Sequence, residues 1–164
     1  MRIREVVLRE VRMKLIAPFQ TSVDHTEERR IILTEVVTDD AIGWGECVAG
    51  ENPFYSPETT DTAWVVMRDF LWPIIKGKEF AAAADVWEML EQVRGHNMAK
   101  AALEAAIWDA EAKQKGVPLS KLLGGTRGEI SSGVSIGIKD SLDELAAAVK
   151  KELEAGYQRI KIKI

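Results

Sequence analysis

Between residues 3 and 15 the chain mixes β-branched and charged residues, and Ile3, Val7, Val11, Met13 and Leu15 fall on one side of a period-two reading. That pattern predicts a half-buried strand. The polar stretch APFQTSVDHTEERR follows, too long for a tight hairpin turn. RIILTEVVT and AIGWGECVA then predict two strands joined at Asp39-Asp40, a hairpin in an antiparallel meander. Gly43 and Gly45 inside the last of them predict a bulge or a close backbone approach.

Beyond the loop GENPFYSPE the period lengthens. Ser56-Pro57 reads as a cap with proline at the first helical position, and three helices are predicted at about 57–71, 80–94 and 97–115. Gly95 and Gly116 suit the left-handed position after a helix end. In the third helix Met98, Ala101, Ala102, Ala105, Trp108 and Ala112 form a stripe of mostly small residues, read as core.

After VPLSKLLGG the grammar changes again. ISSGVSIGI predicts a strand, and Ser141 to Glu144 match the S-x-x-E capping box. A helix over about 142–155 is expected to bury Leu142, Leu145, Val149 and Leu153 and to stop at Gly156. YQRIKIKI predicts a second strand, so the segment is a βαβ unit, which demands a parallel pair and a right-handed crossover. Such a unit alone has two open edges and should begin something larger. The natural division is near residue 125, giving domains 1–125 and 126–164.

The last strand raises the functional question. Alternation puts Arg159, Lys161 and Lys163 on one face and Ile160, Ile162 and Ile164 on the other. Either the lysines face water on an edge strand, or they stand inside a reaction site.

Composition narrows the classes. Apolar residues make up 46% and charged residues 29%, ordinary for a globular protein, and a net charge of −4 gives no footprint for nucleic acid. No run approaches the roughly 18 apolar residues of a membrane span, and the charged start MRIREVV is unlike a signal peptide. Cys47 is the one cysteine, so no intrachain disulfide forms and the cytoplasm is the expected compartment. The two histidines, His25 and His96, lie in different elements, and His96 beside a helix stop reads as a cap or packing residue. Asp109 and Glu111 cannot share a helix face, so no metal site is expected within this chain.

APFQTS, GWGECVAGENPFYSPE, GHNMAKAALEAAIWDAEAKQKG, SIGI and GYQRIKIKI, in that order and spacing, resemble the N-terminal part of an enolase-superfamily protein of the muconate-lactonising type. The likeness is greatest to the o-succinylbenzoate synthase and N-acylamino acid racemase group and spans the whole chain. It implies an α+β capping domain, an antiparallel three-stranded meander plus helices, followed by the start of a (β/α) TIM-type barrel cut after its second strand. Members run to well over twice this length.

The resemblance also implies chemistry. Lys161 and Lys163 match the family's Lys-x-Lys, with Lys163 as the base and Lys161 stabilising the substrate carboxylate. Like charge and desolvation would both favour the neutral amine that a base needs. Catalytic groups sit at the carboxyl ends of barrel strands, which agrees with Lys163 being nearest the end. A magnesium ion would be held by Asp, Glu and Asp beyond Ile164, opposite a further lysine, to stabilise an enediolate formed by proton abstraction next to a carboxylate. Loops Phe19–Glu27 and Gly50–Tyr55 would close over the substrate, with Phe19, Ser22, Tyr55 and, on the first barrel strand, Ser135 as contacts. Phe19 and Tyr55 are equally suited to packing. Expected partners are a small-molecule carboxylate, the remainder of the barrel and further copies in a homo-oligomer. Muconate cycloisomerase, dipeptide epimerase or a non-catalytic fragment needing a partner chain are the alternatives, and the 164 residues alone are expected to be inactive.

Overall fold

A computed structural model describes residues 1–22 and 24–163. Ile164, expected on the apolar face of the last strand, and Val23, inside the first expected loop, lie outside the described residues. Two compact units emerge. The first joins Met1–Arg12 to Arg30–Gly125, and the second joins Met13–Arg29 to the segment from Thr126 onward.

Strands β1 (Ile3–Gln20), β2 (His25–Thr38) and β3 (Ile42–Cys47) form a sheet of order β1-β2-β3. β2 and β3 run antiparallel, from Ile32 opposite Cys47 to Val37 opposite Ile42. Their turn is closed by Thr38, whose N–H donates to the Ala41 carbonyl at 2.9 Å and whose hydroxyl accepts the Ala41 N–H at 3.0 Å.

The polar stretch after residue 16 is not a loop. β1 continues to Gln20 and β2 starts at His25. The Thr21 N–H donates to the Asp24 carbonyl at 2.8 Å, and the Asp24 carboxylate accepts from the His25 N–H and the Thr26 hydroxyl. Polarity here marks strands whose side chains reach solvent, not a break in the ladder. The period-two reading of β1 also changes phase: Ile3 is core, but Val6 and Leu8, of opposite parity, pack against the same core while Met13 is exposed.

In the first unit α1 (Thr60–Val66) begins later than Ser56-Pro57. A reciprocal cap decides the start: the Thr59 hydroxyl accepts the Thr62 N–H at 3.2 Å, and the Thr62 hydroxyl accepts the Thr59 N–H at 2.8 Å. Nor does the helix stop at residue 71. A π turn over Met67–Leu71 leads into α2 (Trp72–Ile75). Pro73 has no N–H and its ring would strike the carbonyl four residues back; widening the turn, with the Trp72 N–H reaching the Met67 carbonyl, accommodates it. α3 (Asp85–Leu90) is shorter than the expected 80–94 because the Asp85 carboxylate instead holds the Ala82 N–H in a preceding turn.

α4 (Asn97–Gln114) lies along β3. A Cβ on Gly43 would collide with the Ala106 carbonyl, and one on Gly45 with the Ala102 carbonyl. Close approach, rather than a bulge, explains both glycines. The packed stripe is Ala99, Ala102, Leu103, Ala106, Ile107 and Ala110; of the expected stripe Ala102 and Ala112 are buried and Met98 and Trp108 pack partly against the core, but Ala101 and Ala105 face solvent. Four-residue spacing of alanines against glycines sets that face. Leu103 and Ile107 join Ile32, Val36, Met67 and Leu71 in one core. Gly95 (φ 64) and Gly116 (φ 65) are left-handed, and α5 (Leu119–Leu122) ends the unit.

The second unit contains a βαβ element, β4 (Gly133–Ile136), α6 (Leu142–Glu154) and β5 (Arg159–Ile162), with the strands parallel. The Ser141 hydroxyl caps α6 by accepting the Glu144 N–H at 3.2 Å, and Gly156 (φ 93) follows its end. The expected buried stripe does not form: no α6 residue is buried, and Leu142 and Leu153 are 83% and 58% exposed. A two-stranded sheet is too narrow to cover it. No described helix is long and apolar enough to cross a membrane.

Candidate active site

β4 and β5 set the register. Ser135 stands directly beside Lys161, so the two side chains share a face. Lys163 follows the last ladder residue, and its N–H donates to the Ile136 carbonyl at 3.0 Å. That bond carries the strand direction one step past Ile162 and fixes Lys163 at the carboxyl end of the pair. Lys161 is exposed and Lys163 half-buried.

The end of β1 comes to the same place. The Ile138 N–H donates to the Gln20 carbonyl at 3.0 Å, and a Cβ on Gly137 would stand 3.0 Å from the Gln20 backbone and 3.5 Å from the Phe19 ring. Phe19, half-buried on β1, therefore sits against the carboxyl end of β4. Ser135, Lys161, Lys163 and Phe19 thus gather at one end of the βαβ element. Ser22 is exposed in the turn between β1 and β2. The segment 19–27 is accordingly a hairpin end, with Phe19 and Gln20 in β1 and residues 25–27 in β2, rather than a free loop. The backbone contact of Gln20 escaped the sequence reading; the one available signal was Gly137, where any larger residue would displace it.

Tyr55 belongs to the first unit, 89% exposed beside Phe54 at 76%. The segment carrying them is tied at both ends. Gly50 bridges Thr59, and the Thr60 hydroxyl reaches the Ala49 and Gly50 carbonyls at 3.1 and 3.2 Å. Glu58, 7% exposed, accepts the Met98 and Ala99 N–H groups with its carboxylate, at 2.9 and 3.1 Å. A carboxylate at a helix N-terminus satisfies orphan donors and opposes the macrodipole. His96 takes the capping backbone position with φ 50, but its side chain does not cap, and Nδ1 is buried without a partner among the described residues. Glu58 does that work from another element, which spacing along one helix does not reveal.

Other carboxylates serve structure. Asp109 accepts the Trp44 N–H at 2.8 Å and pairs with Lys113 at 2.6 Å. Glu111, buried, accepts the Ala83 N–H and pairs with Lys115. Burial alone would raise its pKa, but the hydrogen bonds from Lys115 and Ala83 outweigh that and hold it below the usual carboxylate range. Burial raises the Cys47 thiol. Among the described residues no three His, Cys, Asp or Glu side chains gather to hold a metal ion. These residues do not fit a magnesium centre by themselves.

Residues 3–124 match the mandelate racemase / muconate lactonizing enzyme N-terminal domain, and the chain belongs to that family, within the enolase superfamily. The three-stranded antiparallel sheet with its helices is the superfamily's N-terminal capping domain. An o-succinylbenzoate synthase from Geobacillus kaustophilus is 46% identical over 99% of this chain and 44% of its own length. An N-succinylamino acid racemase from an Amycolatopsis species is 42% identical over 100% of this chain and 45% of its own. A crystal structure of an enolase-superfamily member from Listeria innocua superposes with a TM-score of 0.94, at 32% identity, over 100% of this chain and 44% of that one. The chain therefore spans less than half the length of the curated relatives it matches.

Proposed function

We propose that these residues are the N-terminal part of an enzyme that abstracts a proton next to a carboxylate, forming o-succinylbenzoate, racemising N-acylamino acids, or both. In this reading residues 1–125 are the capping domain and 126–164 the first βαβ unit of a (β/α) barrel. Support comes from the gathering of Ser135, Lys161 and Lys163 at the carboxyl end of a parallel strand pair, where barrel enzymes place their chemistry. The close relatives' names give the substrate class.

Lys163 acts as the base, taking the α-proton onto Nζ. Lys161, on the same strand, offers its ammonium to the substrate carboxylate, and Ser135 beside it adds a hydroxyl donor. Phe19, against Gly137, covers the substrate and excludes water, and Tyr55 is a substrate contact on the family likeness alone. Ser22, exposed in the turn beyond Phe19, is a further substrate contact. Magnesium supplies electrostatic stabilisation of the enediolate in such sites; the described residues do not assemble its ligands, and no step here is routed through it.

The test is solvent deuterium incorporation at the α-carbon of N-succinylamino acids, alongside o-succinylbenzoate formation, by the whole protein containing this segment. Incorporation or product formation abolished by a Lys163 substitution is the expected result. A protein inert toward both substrates with its lysines intact overturns the reading.

A further inference from the structure

On the lysine face of the βαβ element each cation stands beside a small residue. Gly133 pairs with Arg159 and Ser135 with Lys161. The bond from the Lys163 N–H to the Ile136 carbonyl carries the register one step on, so that Gly137 is the position beside Lys163. The two glycines leave room for different occupants. A Cβ on Gly133 would stand 2.9 Å from Nε of Arg159, the movable end of a flexible side chain. A Cβ on Gly137 would stand 3.0 Å from both N and O of Gln20 and 3.5 Å from the Phe19 ring, so there the occupant includes main chain.

Backbone conformation does not ask for glycine at position 137. Its φ lies outside the left-handed region, so an alanine can adopt the same backbone. Contact asks for glycine instead. Gly137 is buried, and the next residue, Ile138, donates its N–H to the Gln20 carbonyl at 3.0 Å. Beyond Gln20 the hairpin end is closed on itself. The Thr21 N–H donates to the Asp24 carbonyl at 2.8 Å, and the Thr21 hydroxyl accepts the Asp24 N–H at 3.1 Å. A turn tied across its own ends moves as a piece, so whatever fixes Gln20 also fixes Phe19 before it and Ser22 beyond it.

We propose that Gly137 is a positioning residue: its bare backbone and the Ile138–Gln20 bond form a latch that seats the β1–β2 hairpin end, and with it the Phe19 ring, beside Lys163. The proposal rests on the reading of Lys163 as the base of a carboxylate-binding site. The latch governs how well substrate is held rather than proton transfer, because Gly137 bears on the cover through main chain while the base is carried by the other strand. An alanine at 137 forces the hairpin end outward by a few tenths of an ångström. An exposed turn can make that shift without unfolding the parallel pair.

Two measurements on the whole protein containing this segment separate the latch from the chemistry. Hydrogen exchange at the Ile138 amide reads the latch without substrate. Gly137→Ala should speed it at least about tenfold while amides within β4 and β5 keep their rates. Gly133→Ala, whose clash is with a side chain that can swing away, should leave Ile138 exchange unchanged. With N-succinylamino acids as substrate, Gly137→Ala should raise KM about fivefold or more and hold kcat within about twofold, the mark of lost binding rather than lost chemistry. In a Phe19→Ala background the same change should add little, because the ring it displaces is gone, whereas a merely structural fault would add its full cost. Ile138 exchange unmoved by Gly137→Ala, protection lost throughout β4 and β5 alike, KM unmoved in a protein that turns over, or full additivity with Phe19→Ala overturns the proposal. A wild-type protein inert toward both substrate classes overturns the proposed function instead, and Ile138 exchange still decides the latch.

Discussion

α4 and α6 are both well-capped helices set against strands, yet they end in opposite states. Nine positions of α4 are buried, and its alanines touch the backbone of β3 at glycines. α6 buries none, although its apolar stripe is the better separated of the two in sequence. The difference is in what each helix has to lie on. α4 lies on β3 of a three-stranded sheet and meets α1, the π turn, α3 and α5, whereas α6 meets the short strand β4 of a two-stranded pair. Amphipathicity states which face wants a partner; only the neighbouring elements decide whether one is there. The first region thus holds the buried core, and the second an exposed apolar helix stripe beside the lysine strand.

The largest expected effect separates these two roles. In the whole protein Lys163→Ala should lower α-proton exchange by about 10²–10⁴, the usual contribution of a positioned base, while thermal stability changes little. Lys163→Arg should be nearly as poor, because a guanidinium stays protonated. Exchange at the unchanged rate from both substrate enantiomers would return Lys163 to the role of a solvated edge residue. In the first region the pattern reverses. Gly45→Ala drives a methyl into the Ala102 carbonyl and should cost about 3 kcal/mol or more, read as a lowered denaturation midpoint. A neutral Gly45→Ala would mean that α4 does not lie as close to β3 as drawn.

Much of this was readable beforehand, for physical reasons. The strand order, the Thr38–Ala41 turn, the paired glycines, the left-handed Gly95 and Gly116 and the parallel βαβ pair all follow from local signals. What failed involved competition or distance. Ser56-Pro57 lost the helix start to the Thr59–Thr62 box, a contest between two valid caps. The helix expected to end at residue 71 runs on through a π turn that accommodates Pro73. The polar hairpin arm reads as loop because a strand with solvent on its sides lacks the alternation that marks a half-buried one. At the site, the lysine face could be read from alternation alone. The approach of Phe19 and Gln20 to Gly137, and the reach of Glu58 to α4, join residues 40 or more positions apart, and no spacing rule within one element reports them.

Glu111 tests the first region by charge. Glu111→Gln should cost about 1–3 kcal/mol, since a buried group loses its ionic partner Lys115. The pH dependence has a defined sign. The carboxyl is held below its ordinary value of 4.5 in the folded state, so its contribution is complete above that value and is lost as the pH falls through the lowered one. Wild type and Glu111→Gln should therefore converge in stability under acid and diverge toward neutrality, as chemical denaturation at several pH values would record. A constant gap would assign the cost to packing.

The smallest expected effect bears most directly on the contrast between the helices. Ile107→Ala in α4 removes a side chain with no exposure, and such truncations cost about 2–5 kcal/mol through lost burial and the cavity left behind. Leu153→Ala in α6 removes one that is 58% exposed, and a surface change of that kind should stay within about 0.5 kcal/mol. Alanine also favours helix slightly over leucine, which offsets part of even that small loss. Both variants can be compared by urea denaturation of this chain, using hydrogen exchange of α6 amides to report the second unit separately. If Leu153→Ala proved as costly as Ile107→Ala, the α6 stripe would be buried in solution by a surface that these two strands do not provide. α4 would then be a helix with its cover in place, and α6 one whose cover lies outside these two strands.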